Sequence, residues 1–131
     1  MKIDTIRKNF NQNEFINLIG FESENLEERA IKLKLSIREE LLNNNGSLHG
    51  GVHATMLDTI LGMTIRYKTK LPCTTINLNI NYLNTATSDE VYATGKILRQ
   101  GYKNVTAEGE MYDSNGVLLA KAIGTFKLLR Q

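Results

Sequence analysis

The chain has no tryptophan, one proline and one cysteine among its 131 residues. A lone Cys73 cannot close an intrachain disulfide, which fits a reducing compartment, so a cytoplasmic location is expected. No apolar run approaches the ~18 residues that a membrane-spanning helix needs. The first residues, MKIDTIRKNFNQNEF, lack the apolar core of a secretory leader and are not expected to act as one. A formal net charge of +2 is too small to argue for nucleic acid or an anionic membrane surface as partner. GxSxG, GxGxxG and Walker patterns are missing, as are internal repeats, low-complexity stretches and linkers.

What remains is an ordinary globular composition, with 41% hydrophobic and 23% charged residues. The length is enough for a real core and small for two, so residues 1–131 are read as one domain. Ile3, Ile6 and Phe10, then Phe15, Ile16 and Ile19, are spaced for one short helix or two, with Gly20 as a stop. In RAIKLKLSI, Ile31, Leu33, Leu35 and Ile37 alternate with polar residues, the mark of a half-buried strand. Phe21 to Glu28 is a candidate hairpin partner for it. From about Gly50 to Tyr67 apolar residues cover most of a helical circumference, which predicts one long buried helix. Gly62 is expected to let another backbone approach it there.

After Pro72 the pattern changes to strands. TTINLNINYL sets Ile76, Leu78, Ile80 and Tyr82 on one face and Thr75, Asn77, Asn79 and Asn81 on the other. EVYATGKIL, NVTAEGEMY and VLLAKAIGTFKLL follow, with turns at Gln100-Gly101 and at Asp113-Ser-Asn-Gly116. Four consecutive strands predict an antiparallel meander. The expected class is α+β: an antiparallel sheet of five or six strands wrapped around one long central helix.

The chemistry concentrates in NNNGSLHGGVHATMLD, Asn43 to Asp58, which holds both histidines of the chain. Asp58 has only Ala54, Thr55, Leu61 and Gly62 as helical neighbours at three and four positions, and none neutralises it. A carboxylate on a largely buried helix must be hydrogen-bonded, paired or set in a cleft. It either surfaces at a sheet edge or subunit contact, or serves as base or nucleophile in a partly desolvated site. Gly46, Gly50 and Gly51 flank His49 where the helix starts. Unpaired N–H groups at a helix start, with glycines that admit a ligand, suit an oxyanion hole; an ordinary glycine-rich helix entry has the same look. Gly50 and Asp58 are about two turns, ~12 Å, apart along one helix. If they cooperate on one small group, the Asp must come from another chain. His49 and His53, four apart, invite a metal, but glycines stand where HExxH has its acid, so no metal is assigned. Arg99 and Lys103 flank the Gln100-Gly101 turn, either as phosphate holders or as solvated charges. Cys73 beside Pro72 reads as a strand entry with nothing to activate it.

The stretch resembles the N-x-x-G-x-x-H-G-G-x-x-x-x-x-x-D signature of hotdog-fold acyl-CoA thioesterases. The nearest branch is the one named for phenylacetate degradation (PaaI-like), which includes the animal thioesterase superfamily member 2. The resemblance runs from about Leu41 to the C-terminus and takes in INLNINYLNTA and ILRQGYKN. It implies the hotdog fold and hydrolysis of an acyl-CoA thioester to free acid and CoA, without a cofactor. It implies Asp58 as nucleophile or general base, the Gly50 N–H as the group polarising the thioester carbonyl, and His49 as its support. It places Asn43 near the thioester or water, and Thr75 where a Ser or Thr holds the attacking water. Gly51, Thr74, Arg99, Gly101 and Lys103 complete the set expected to touch substrate or CoA. Sites shared across a homodimer, with dimers pairing into a homotetramer, are implied as well. Two other functions stay open: hydration or dehydration of an acyl thioester by a His/Asp pair on the same fold, and acyl-CoA binding without catalysis.

Overall fold

The computed structural model describes residues 2–24 and 31–131. The long helix α3 runs Gly50–Thr69, and the sheet curls around it. Its buried side chains include Met56, Leu57, Ile60, Leu61 and Ile65, all essentially without exposure. At ~1.5–3 kcal/mol per fully buried large apolar side chain, this helix is the main hydrophobic anchor of the fold. Two short helices precede it: α1 at Ile3–Gln12 and α2 at Glu14–Ile19. Gly20 ends α2 with φ of 99°, a left-handed conformation that glycine adopts without strain. Arg38 pins that end by donating to the Ile19 and Leu18 carbonyls. Ile6 and Phe10 of α1 are buried.

The strands are β1 (Glu22–Glu24), β2 (Lys32–Ser36), β3 (Cys73–Tyr82), β4 (Glu90–Gln100), β5 (Asn104–Asp113) and β6 (Leu118–Leu128). All pairings are antiparallel, in the order β1-β2-β4-β5-β6-β3. The hairpin partner expected at Phe21 to Glu28 is β1; residues 25–28 of that stretch lie outside the described residues. The four-strand meander needs correction. Only β4, β5 and β6 form one, because β2 occupies the free side of β4 and sends β3 to the far edge beside β6. The chain returns from β3 to β4 through residues 83–89.

Asp113 fastens that return. It is 1% exposed, and its Oδ2 accepts from the Thr87 N–H and Thr87 Oγ1, both at 2.7 Å. Its Oδ1 accepts from Asn115 N at 2.9 Å and Val117 N at 3.0 Å, which also shapes the β5–β6 turn. Donors led by Thr87 hold its carboxyl down to about 2. A depressed carboxylate contributes stability that is complete above its unfolded value, near 3.8, and lost as pH falls toward 2. Asp113→Ala should therefore lower Tm by roughly 5 °C or more at neutral pH, since several donors lose one acceptor. In calorimetry, the gap to wild type should narrow between pH 4 and 2. A gap that is independent of pH would sink this role.

Glycine matters where the sheet meets the helix. Gly95 and Gly109 face each other across β4 and β5, beneath Leu61. A Cβ on Gly95 would stand 3.1 Å from the Leu61 side chain, and one on Gly109 3.2 Å. Gly62 plays another part from the one expected. Among the described residues no backbone from outside the helix lies within 4 Å of where its Cβ would stand; its open side takes the Arg66 guanidinium, whose Nη1 would lie 2.8 Å from a Cβ there.

Candidate active site

One face of α3 is only half-buried, and the sheet reaches it through Cys73 and Thr75 of β3. Ala54, Thr55, Asp58, Thr59 and Arg66 lie along it, all half-buried. Asp58 accepts a hydrogen bond of 2.6 Å from Thr75 Oγ1. The alternation of β3 puts Thr75 on the outer face with the asparagines, and the structure overturns that. A bulge between Thr75 and Asn77 absorbs Ile76, so Thr75 stands opposite the buried Phe126 while Leu78 stands opposite Gly124. The extra residue shifts the register by one and turns Thr75 inward. Ile76 is left 57% exposed.

Asp58 and Thr75 open into a cleft of about 500 Å³. Its walls include Thr74, Met63 and Phe126, and α1 closes one side with Ile6 and Phe10. Cys73 lies in the floor, 6% exposed, and burial pushes its thiol upward.

The glycine loop stands at the other end of the helix. Asn43 organises it: its Oδ1 accepts from Asn45 N at 2.9 Å and Ser47 N at 3.1 Å, and its Nδ2 donates to Ser47 Oγ at 3.0 Å. Gly46 completes the turn at φ of 80°. His49 is the N-cap of α3, and its Nδ1 accepts from the Gly51 N–H at 2.8 Å. The Gly51 donor is thus consumed within the loop. The Gly50 N–H has no hydrogen-bond partner among the described residues.

His53 and Tyr82 back this loop; the sequence offered His53 only as half of a metal pair with His49 and gave Tyr82 no place in a site. His53 is 7% exposed, its Nδ1 lies 3.2 Å from the His49 carbonyl, and burial lowers its pKa. Its ring meets Tyr82 edge-on at 5.5 Å, and Tyr82 Oη donates to the Gly50 carbonyl at 3.0 Å. Asn43, Gly50, His53 and Tyr82 line a second cavity of about 310 Å³. No residue lines both this cavity and the Asp58 cleft. Within one chain, the carboxylate and the free N–H do not meet.

The β4–β5 turn lies at the Asp58 end of the sheet: Leu128 N donates to the Lys103 carbonyl and Leu129 N to that of Pro72, beside the cleft wall. Gly101 N donates to the Asn104 carbonyl at 2.8 Å, and the Arg99 guanidinium folds over the glycine. Lys103 is exposed. Arg130, which sequence reading passed over, stacks on Tyr102 at 3.8 Å and adds a third cation to the turn. Its place at the chain end gave no spacing signal. Among the described residues no helix is long and apolar enough to cross a membrane.

The sequence profile described as thioesterase superfamily matches residues 45–120, from the glycine loop to the last strand. A Saccharolobus solfataricus protein named as a candidate esterase is 30% identical over 132 residues, covering 100% of this chain and 88% of its own. Mouse acyl-coenzyme A thioesterase 13 is 33% identical over 70 residues, which is 52% of this chain and 50% of that protein. A Bacillus halodurans protein crystallised with CoA superimposes with a TM-score of 0.84 at 26% identity, covering 98% of this chain and 89% of that one.

Proposed function

Because the chain belongs to the thioesterase superfamily, a hydrolase family of hotdog fold, we propose that it cleaves acyl-CoA thioesters to free acid and CoA. The observation that carries this reading is Asp58, half-buried in a cleft and held by Thr75 at 2.6 Å. The carboxylate attacks the thioester carbonyl, or takes a proton from a water that Thr75 helps to place. The Gly50 N–H, at the positive end of a 20-residue helix, receives the developing oxyanion. His49 keeps that N–H presented by occupying the next one. Asn43 supports the loop and faces the same cavity. The similarity to the mouse acyl-CoA thioesterase and to a protein solved with CoA supports the CoA ester as substrate, within the PaaI-like branch.

The two halves require a second chain. The proposed unit is a homodimer, with dimers pairing further, in which Asp58 of one subunit faces the Gly50 loop of its partner. Two features support it: the half-buried face of α3, and the ten-residue strand β3 at the sheet edge. The hydration reading is weaker, because it needs a His/Asp pair, whereas Asp58 is held by Thr75 and lines a different cavity from His53. Thiol release from a panel of short, medium, long and aryl acyl-CoAs tests the activity. No release from any of them would overturn it.

Arg99 and Lys103, with Gly101 shaping their turn, are assigned to the phosphates of CoA. Thr74 and Gly51 line the approach. Arg99→Ala with Lys103→Ala should raise KM for acyl-CoA by roughly 3- to 10-fold and leave kcat within about twofold, the mark of binding shared by ground and transition states. An acyl thioester without the nucleotide should show no difference. An unchanged KM for acyl-CoA would mean that these charges are only solvated.

A further inference from the structure

Among the described residues Arg66 is the one cation lining the Asp58 cleft, and the reaction as proposed does not use it. It is half-buried on the same face of α3, two turns beyond Asp58. Its Nη2 donates to the Cys73 carbonyl at 2.9 Å. No carboxylate among the described residues pairs with it within 4.0 Å. A guanidinium has five N–H donors in a planar fork, so most of them are unspent. The position is stable as a cation without a partner, because Arg66 lies in the last turn of α3, at the negative end of the helix dipole.

The fork is held in place by the chain itself. Gly62 leaves the space into which the guanidinium folds back along the helix. That puts the charge level with Gly62, one turn and ~6 Å along the axis from Asp58. Between the two ends the lining is mixed, with Met63, Phe10 and Ile6 buried in the walls and Thr59, Asn9 and Asn13 beside them. The cleft therefore offers a carboxylate at the reacting end, a short stretch of uncharged residues, and a planar cation without a carboxylate partner beyond it.

Resting on the assignment of Asp58 to thioester cleavage, we propose that this cleft selects short acyl groups that end in a carboxylate, which the Arg66 fork receives. An apolar tail of the same length leaves the fork unpaired and displaces its water, so it binds less well. A long alkyl tail would have to pass the charge.

The test compares acyl-CoAs matched in length, roughly four to six carbons for a ~6 Å gap: adipoyl against hexanoyl, and succinyl against butyryl. Wild-type kcat/KM should favour the carboxylated member by about 10-fold or more. Arg66→Met, which keeps most of the volume, should abolish that preference by weakening the carboxylated substrate alone. Arg66→Lys should retain part of it through charge without the fork. Equal or better cleavage of the plain acyl groups by wild type overturns the proposal with no variant needed. So does an equal loss on both substrates in a folded Arg66→Met protein, because the guanidinium would then hold the nucleotide or only the strand. Binding of adipoyl-CoA and hexanoyl-CoA to the Asp58→Asn protein separates this failure from that of the activity. Selective binding by a chain that hydrolyses neither ester would sink the thioesterase reading and leave the fork assignment standing.

Discussion

Asp58→Asn is expected to lower turnover of acyl-CoA at least ~100-fold with little change in Tm, the scale of losing a positioned base or nucleophile. The substitution is close to isosteric. The asparagine oxygen still accepts the hydrogen bond that Thr75 Oγ1 now gives at 2.6 Å, so the contact between α3 and β3 survives. What disappears is the negative charge and its ability to attack carbon or take a proton. The position lies on the half-buried face of α3 that lines the cleft, away from the fully buried Met56, Leu57, Ile60 and Leu61, so the packed core is untouched. Thiol release and thermal unfolding should be measured on the same preparation. A folded variant with undiminished rate would remove Asp58 from the chemistry, and the cleft would have to be reassigned.

Gly50→Pro should cost about as much, ~100-fold or more, for a different reason. Gly50 is the first residue of α3, where proline is well accepted because its fixed φ suits the helix and its missing N–H has no intrahelical partner. His49 has φ of −59° and ψ of 136°, an extended conformation that a following proline prefers. A Cβ at this position meets only the Tyr82 ring, at an ordinary 3.6 Å. The substitution thus deletes one hydrogen-bond donor and little else. It also gives a clean test of where the two halves of the site come from. In a dimer with shared sites, a mixed pair of Asp58→Asn and Gly50→Pro chains has one doubly damaged site and one intact site. At equal mixing half of the dimers are mixed, so activity should recover to about a quarter of wild type. Sites contained within one chain would recover nothing on mixing.

Much of this architecture is legible in the sequence because it follows from local rules. The apolar coat of residues 50–67 announces a helix enclosed by other elements, and α3 is that helix, extended by two residues to Thr69. The alternation around Leu33 and Leu35 and the glycine turn at Gly116 are equally local, and β2 and the β5–β6 hairpin appear where they were expected. Neighbouring residues carry these signals through periodicity and through backbone angles that only some side chains accept.

Residues far apart in the chain decided the rest. Strand order is such a case: β3 looks like the first strand of a meander, yet it closes the opposite edge, because β2 competes for β4 and the buried Asp113 fixes the crossing loop. The side of β3 that Thr75 occupies depends on a bulge set by pairing with β6, and period-two reading across a bulge fails by one residue. His49 could be named from its place at the glycine-flanked helix start and Asn43 from the family resemblance, but not the bonds that leave Gly50 as the donor at the helix start. Arg66 was unremarkable as one more cation near a helix end until folding turned it into a cleft with Asp58. The sequence by itself determined the elements and the residues able to do chemistry, since these depend on near neighbours. Only tertiary structure decided which of them share a cavity, because pairing register, strand order and burial are set by contacts between distant parts of the chain.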